Sequence, residues 1–162
     1  MTVVTTSQDT DALTLTFVAD LAAPVARVWQ LWADPRQLER WWGPPTWPAT
    51  FTEHDLTVGG GAHYYMTGPD GERAHGWWRF TAVDEPTSLE LEDGFADETG
   101  APATDMPTTR TRVELTEAPG GTRMTIVSSF ATAEQMEQLA AMGMVEGMTA
   151  AMDQMDEVLA AA

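Results

Sequence analysis

The chain has 162 residues, 43% of them hydrophobic, which is enough for one domain with a substantial core. Eight basic residues against 25 acidic ones give a net charge of −17, which repels nucleic-acid phosphates and anionic membrane surfaces, so we expect neither as a partner. All eight basic residues are arginines and cysteine is absent, which excludes disulfides, thiolate nucleophiles and catalytic lysines.

The start of the chain, MTVVTTSQDTDALTL, lacks the basic and then apolar pattern of a secretion signal. No later stretch approaches the roughly 18 consecutive apolar residues of a membrane-spanning helix. We therefore expect a cytoplasmic protein, with a flexible segment at residues 1–11 and a single domain at residues 12–162.

The first predicted elements are a strand and a short helix. Residues 12–20 are rich in Leu, Thr, Phe and Val and alternate in part, which favours a strand with one buried face. Apolar residues then recur at helical spacing after Pro24, a residue suited to a first helical turn. The apolar face of this helix comprises Val25, Val28, Trp29 and Trp32.

A second short helix is predicted to follow at once. Asp34 is a good N-cap, and Gly43-Pro44-Pro45 ends the helical pattern. One face of this helix carries Leu38, Trp41 and Trp42. The two helices together therefore hold four of the seven tryptophans.

The region from Trp47 to Phe130 has the alternating pattern of strands. Turn signals rich in Gly, Pro and Asp divide it into about six strands in meander order. These signals lie at residues 59–61, 68–71, 85–86 and 119–121. Residues 96–107 are richer in Gly, Pro, Asp and Thr, and we predict a long loop there.

The last segment predicts one long helix, from Thr132 to Ala162. Thr132 and Gln135 form a capping box, and no proline interrupts the segment. At about 1.5 Å per residue the helix would be roughly 40 Å long, enough to cross a sheet. Because Gly143 and Gly147 destabilise a helix, we expect a close strand or a ligand to need the space beside them. The apolar stripe comprises Val145, Met148, Met152, Met155 and Leu159.

A long helix with one apolar face needs a concave apolar partner. The order of elements therefore predicts an α+β fold, in which a curved antiparallel sheet of about seven strands wraps round the C-terminal helix. Two short helices follow the first strand in this arrangement.

Five segments also match the pattern of a known family. They are APVARVWQLWADPRQLERWWGP, DLTVGGGAHYYMTGPDGERAHGWWRF, VDEPTSLELEDGF, GGTRMTIVSSF and EQMEQLAAMGMVEGMTAAMDQMDEVL. On these segments the chain resembles the bacterial members of the SRPBCC or START-like superfamily, in the branch similar to the C-terminal domain of the activator of heat-shock-protein ATPase. The resemblance implies a helix-grip fold with a cavity between sheet and helix. Across the superfamily this cavity carries lipids, hormones or polyketides, and some members use it for cyclisation or dehydration.

We predict aromatic and methionine side chains as the walls of the cavity. Aromatic rings offer large apolar area at low entropic cost, and flexible thioethers adapt to varied ligands. Ordinary core packing is the alternative for both groups. The predicted ligand-binding residues are Trp32, Trp42, Phe51, His63, Tyr65, Trp77, Trp78, Phe80, Met144, Met148 and Met152.

The hairpin around Pro69-Asp70 decides which polar groups face this cavity. A two-residue turn there would place His63 opposite Gly76, and His63 and His75 on opposite faces of the sheet. His63 and Tyr65 would then share the inward face with Trp78. We therefore expect no metal site. Candidate catalytic residues are His63, His75 and Tyr65, since histidine titrates near neutrality.

Three functions remain open at this point. The first is binding of a small hydrophobic or aromatic molecule, without a cofactor. The second is a cofactor-independent cyclase or dehydratase, in which His63 or His75 acts with Tyr65. The third is a cochaperone-like domain that binds a chaperone through an outer sheet face or a loop. The sequence leaves a homodimer open.

Overall fold

The computed structural model describes residues 4–161 and shows an α+β fold built on one antiparallel sheet. The eight strands lie in the order β1-β2-β8-β7-β6-β5-β4-β3, one more strand than the seven or so predicted. They are β1 Val4–Asp9, β2 Thr14–Leu21, β3 Ala49–His54, β4 Gly61–Thr67, β5 Arg73–Asp84, β6 Ser88–Ala96, β7 Thr109–Ala118 and β8 Gly121–Ser129. The helices are α1 Val25–Ala33, α2 Pro35–Trp41, α3 Ala133–Ala141, α4 Met144–Met152 and α5 Met155–Ala160.

The additional strand is β1, which covers residues that we expected to be flexible. It pairs with β2 from Val4 opposite Ala19 to Asp9 opposite Thr14. Its side chains are mostly exposed and polar, so no hydrophobic alternation marks it in the sequence. Residues 1–3 of the predicted flexible segment lie outside the described part of the chain.

The core lies on the concave face of the sheet, where inward side chains alternate with outward ones along each strand. Phe17 on β2 lies opposite Ile126 on β8, and Ile126 lies opposite Val113 on β7. All three side chains are fully buried. The helices cover this face, and Met152 and Met155 belong to the same buried cluster.

The two short helices form as predicted. The Asp34 carboxylate caps α2 by accepting a hydrogen bond from the backbone N–H of Arg36, at 2.9 Å. The indole N–H of Trp41 donates to the carbonyl of Leu31 on α1, at 2.8 Å. This bond fixes the two helices against each other, with Trp32 buried between them and the sheet.

The single long helix predicted for residues 132–162 is wrong, because the segment forms three consecutive helices. Gly143 has a φ of +87°, a left-handed conformation that separates α3 from α4. A second interruption separates α4 from α5 at residues 153–154. Residue 162 lies outside the described residues. Half of the predicted capping box is confirmed, since Thr132 Oγ1 accepts a hydrogen bond from the backbone N–H of Gln135 at 3.1 Å, whereas the Gln135 side-chain oxygen makes no return bond.

Polar contacts fasten these C-terminal helices to the N-terminal ones. Gln154 donates through Nε2 to the carbonyls of Trp41, at 3.3 Å, and Gly43, at 2.7 Å. Arg27 on α1 donates to the carbonyl of Val158 on α5, at 2.9 Å. The break between α4 and α5 is thus held directly over the end of α2.

Among residues 4–161, no helix is both long and apolar enough to cross a membrane.

Candidate functional site

The register of the β4–β5 hairpin decides which side chains face the helices. Thr67 lies opposite Arg73, so five residues form the connection instead of two. Gly68 starts this wider turn by donating its N–H to the carbonyl of Glu72, at 2.8 Å. The predicted pairing is therefore wrong by one residue, and every β4 side chain lies on the face opposite to the one predicted.

A cavity of about 630 Å³ opens between the concave face of the sheet and helices α3 and α4. This volume lies within the roughly 300–1,000 Å³ typical of sites for small ligands. The loop after α2 contributes Trp42, Gly43, Pro44 and Trp47 to the lining. The sheet and the loop before β7 contribute Tyr64, Met66, Ala74, Asp93, Gly94, Phe95, Pro107 and Thr109. The helices and the turn between them contribute Leu139, Met142, Gly143, Met144, Gly147, Met148 and Ala151.

Methionines and a glycine form the helical wall of the cavity. Met144 and Met148 line it, and Met142 at its rim is 54% exposed. A Cβ atom added at Gly147 would have no heavy-atom neighbour within 4 Å. Gly147 therefore faces open space and no close strand, whereas the backbone conformation explains the glycine at 143.

Tyr64 brings a phenol group into this apolar surface. Its ring stacks on Phe51, with centroids 5.0 Å apart, and meets Trp42 edge to face at 6.0 Å. The ring crosses over Gly76, where an added Cβ would lie 2.4 Å from the tyrosine hydroxyl. Glycine at position 76 is thus what admits the Tyr64 ring. Burial raises the pKa of Tyr64 well above its usual value, and the negative charge of Asp93 adds to the increase.

Asp93 is the one carboxyl group among the residues that line the cavity. It lies on β6 between Trp78 on β5 and Thr109 on β7, so its side chain shares the concave face with them. Its carboxylate makes no hydrogen bond and no ion pair with residues 4–161. Burial raises the pKa of Asp93 to about 7, because the charged form loses its hydration. The cavity therefore has one polar end, formed by Asp93 and Tyr64.

Of the residues predicted to bind a ligand, the structure places three in the lining of the cavity: Trp42, Met144 and Met148. Five others are buried in the core beneath it. They are Trp32, Phe51, Trp78, Phe80 and Met152. These five support the walls, as in the edge-to-face contact between Trp42 and Trp78 at 4.9 Å.

The remaining predicted residues, His63, Tyr65, His75 and Trp77, lie on the convex face, away from the cavity. Tyr65 and His75 are cross-strand neighbours whose ring centroids lie 5.7 Å apart. The Trp77 indole covers Gly94 on β6, where an added Cβ would lie 2.6 Å from the ring. Because His63 and His75 share this face, the prediction that they point in opposite directions is wrong. The proposed chemistry of His63, His75 and Tyr65 on a ligand in the cavity consequently has no geometric support.

No group of three or more His, Asp or Glu side chains within residues 4–161 is placed to hold a metal ion. The third histidine, His54, lies apart from the other two at the end of β3. Its Nε2 lies 3.0 Å from the carbonyl oxygen of Trp32, and burial lowers its pKa. His54 therefore joins β3 to α1.

Sequence reasoning missed both titratable residues of the cavity, Asp93 and Tyr64. The sequence does contain a signal for Asp93. Leu89 and Leu91 are inward positions of an alternating strand, and Asp93 is the next inward position. An acid in such a series is unusual enough to mark a site. Tyr64 had no separate signal, since it depends on the hairpin register alone.

Comparison with known proteins agrees with this architecture. The family model described as Activator of Hsp90 ATPase homolog 1-like protein matches residues 22–160, which confirms the resemblance seen in the sequence. No curated protein matches the chain.

Several solved structures have the same fold. A solution structure of a protein from Arthrobacter aurescens is 54% identical, with a TM-score of 0.93, covering 98% of this chain and 92% of that one. A crystal structure of a protein from Mycobacterium smegmatis is 52% identical, with a TM-score of 0.90 and 97% of both chains covered. The AHSA1 protein from Silicibacter pomeroyi is similar in fold, with a TM-score of 0.71 and 20% sequence identity. The match covers 91% of this chain and 97% of that one.

Proposed function

This chain belongs to the family of Activator of Hsp90 ATPase homolog 1-like proteins, and we propose that it binds a small, largely apolar ligand in the cavity between its sheet and helices α3 and α4. The observation that carries the proposal is the cavity of about 630 Å³ itself. An open cavity of this size with a mostly apolar lining and a few polar groups is the usual form of a small-ligand site.

The lining favours an apolar occupant. Most of its surface is apolar, with four aromatic residues and four methionines among the 19 residues that line it, and burying apolar ligand area there yields roughly 25 cal/mol per Å². Gly147 supports the same conclusion, because a glycine in a helix interior costs about 0.5–1 kcal/mol relative to alanine and here leaves only space.

A cavity-filling variant tests the proposal. N-phenyl-1-naphthylamine is an uncharged fluorophore that brightens in apolar surroundings, and we expect it to bind the wild-type chain saturably. In Gly147→Leu the new side chain would extend into the cavity, because nothing lies within 4 Å of its Cβ position. We expect this variant to lose the fluorescence increase.

Ala140→Leu is the matched control, since it adds a similar side chain to an exposed position of α3. It should bind the fluorophore as the wild type does. Circular dichroism would show that both variants are folded. Absence of binding to the wild type, or unchanged binding to a folded Gly147→Leu variant, would refute the proposed function.

The chaperone partner and the homodimer considered from the sequence stay predictions. The enzyme alternative is not proposed, because its three candidate residues lie on the convex face.

A further inference from the structure

The polar end of the cavity restricts the chemistry of the ligand further. We propose that the ligand carries a protonated amine, whose ammonium group pairs with Asp93 while the apolar remainder lies against Trp42 and the methionines of α4. This inference rests on the proposed function, because it concerns the occupant of the same cavity.

The first argument is the composition of the lining. No Arg and no His is among the residues that line the cavity, so an anionic ligand such as a fatty-acid carboxylate would find no counter-charge there. Asp93 would instead repel it. The Asp93 carboxylate has no hydrogen-bond or ion-pair partner within residues 4–161. A cationic group on the ligand would supply that partner.

The second argument is the aromatic surroundings. Tyr64 and Trp42 line the cavity together, with ring centroids 6.0 Å apart. Ammonium groups are attracted to the faces of such rings, most strongly when water is excluded. The faces of these rings and Asp93 thus favour the same sign of ligand charge.

The third argument concerns the whole molecule. A net charge of −17 creates a negative potential that attracts cations and raises their local concentration. Within the cavity, the groups able to titrate are Asp93 from β6 and Tyr64 from β4. The contributions of β5, β7, α3 and α4 to the lining are Ala74, Thr109, Leu139 and the residues of α4, none of them ionisable.

The test compares three compounds that share one apolar body: 4-butylbenzylamine, 4-butylbenzyl alcohol and 4-butylbenzoate. Their affinities are measured at pH 8 by isothermal titration calorimetry. For the wild-type chain we expect the amine to bind at least about tenfold more tightly than the alcohol, and the benzoate most weakly. At pH 5.5 the affinity for the amine should fall at least about tenfold, because burial places the pKa of Asp93 at about 7.

Two variants separate the role of Asp93 from general charge. Asp93→Asn should abolish the advantage of the amine and leave alcohol binding in place, which also shows that the cavity is intact. Glu92→Gln removes the same charge from the neighbouring residue of β6, whose side chain lies on the convex face. It should keep the preference for the amine.

The outcomes distinguish this inference from the proposed function. If the alcohol binds the wild-type chain as tightly as the amine, or if the preference for the amine survives in Asp93→Asn, the amine is not recognised by Asp93, and the inference fails while the proposed function stands. If none of the three compounds binds, the inference fails, and the proposed function fails with it when N-phenyl-1-naphthylamine does not bind either.

Discussion

Replacing Asp93 with Asn should stabilise the protein, by an amount that depends on pH in a defined way. Asparagine has nearly the same shape but cannot ionise, so the variant removes the cost of placing a charge in an apolar cavity. Any difference in packing between Asn and a protonated Asp is independent of pH. The pH-dependent part of the change in unfolding free energy therefore isolates the ionisation of Asp93.

The magnitude follows from the pKa of this group. Burial raises the pKa of Asp93 from 3.8 to about 7. Each pKa unit corresponds to about 1.4 kcal/mol, so ionisation costs the folded state about 4 kcal/mol more than the unfolded state, as an upper value.

The sign is that of a group whose pKa is raised by folding. Below pH 3.8 both states are protonated and there is no cost. Between pH 3.8 and about 7 only the unfolded state ionises, so the wild-type chain loses stability as the pH rises. Above pH 7 the cost stays constant.

Urea denaturation followed by tryptophan fluorescence at five pH values from 4 to 8 measures this effect. The advantage of Asp93→Asn over the wild type should be small at pH 4 and grow to as much as about 4 kcal/mol by pH 8. Glu92→Gln, which removes a carboxylate from the neighbouring position on the convex face, is the matched control. A difference between Asp93→Asn and the wild type that does not change with pH would refute the argument that the cavity holds an unpaired acid.

Three further predictions concern the C-terminal helices and His54. Gly147→Ala should raise the urea midpoint by the equivalent of about 0.5–1 kcal/mol, because alanine favours a helix and has space at this position. Gly143→Ala should lower the unfolding free energy by about 1 kcal/mol, because the φ of residue 143 is +87°. Equal effects of the two changes would contradict this account of the break in the helix. Gln154→Leu should lower the unfolding free energy by about 1–3 kcal/mol, because it leaves two carbonyls at the end of α2 without their donor. A thermal melt unchanged from that of the wild type would show that these bonds contribute nothing. Burial lowers the pKa of His54 from 6.5, so this residue favours folding above pH 6.5 and loses that contribution as the pH falls through its lowered pKa. On acidification from pH 7 to 5, His54→Gln should therefore lose less unfolding free energy than the wild type, as measured by urea denaturation. Equal losses of unfolding free energy in the two proteins would contradict the lowered pKa of His54.

The core and the short helices could be predicted from the sequence because local patterns decide them. Trp29 and Trp32 recur at helical spacing, and both are buried in the structure. Asp34 is a cap by residue type, and its carboxylate accepts the expected bond. Helical spacing and capping depend only on neighbours along the chain, so no knowledge of the remaining fold is needed.

The residues facing the cavity from β4 were missed because the turn chemistry of the hairpin was misread. A two-residue hairpin turn needs a positive φ at its first central residue, which Pro69 cannot adopt, whereas the wider connection uses Gly71 at a φ of +84°. Because side chains alternate along a strand, the register with the five-residue connection places Tyr64 on the concave face, and His63 and Tyr65 on the convex face.

What the sequence by itself determined about this protein is the α+β class, the antiparallel sheet, the position of the tryptophan-bearing helices and the family. Each depends on periodicity, composition or motifs distributed over the whole chain, so that an error at one position changes little. Only the tertiary structure placed Asp93 and Tyr64 in a cavity with Trp42 and the methionines of α4. These residues lie far apart in the chain, and they come together only once the strands have paired and the helices have packed across them.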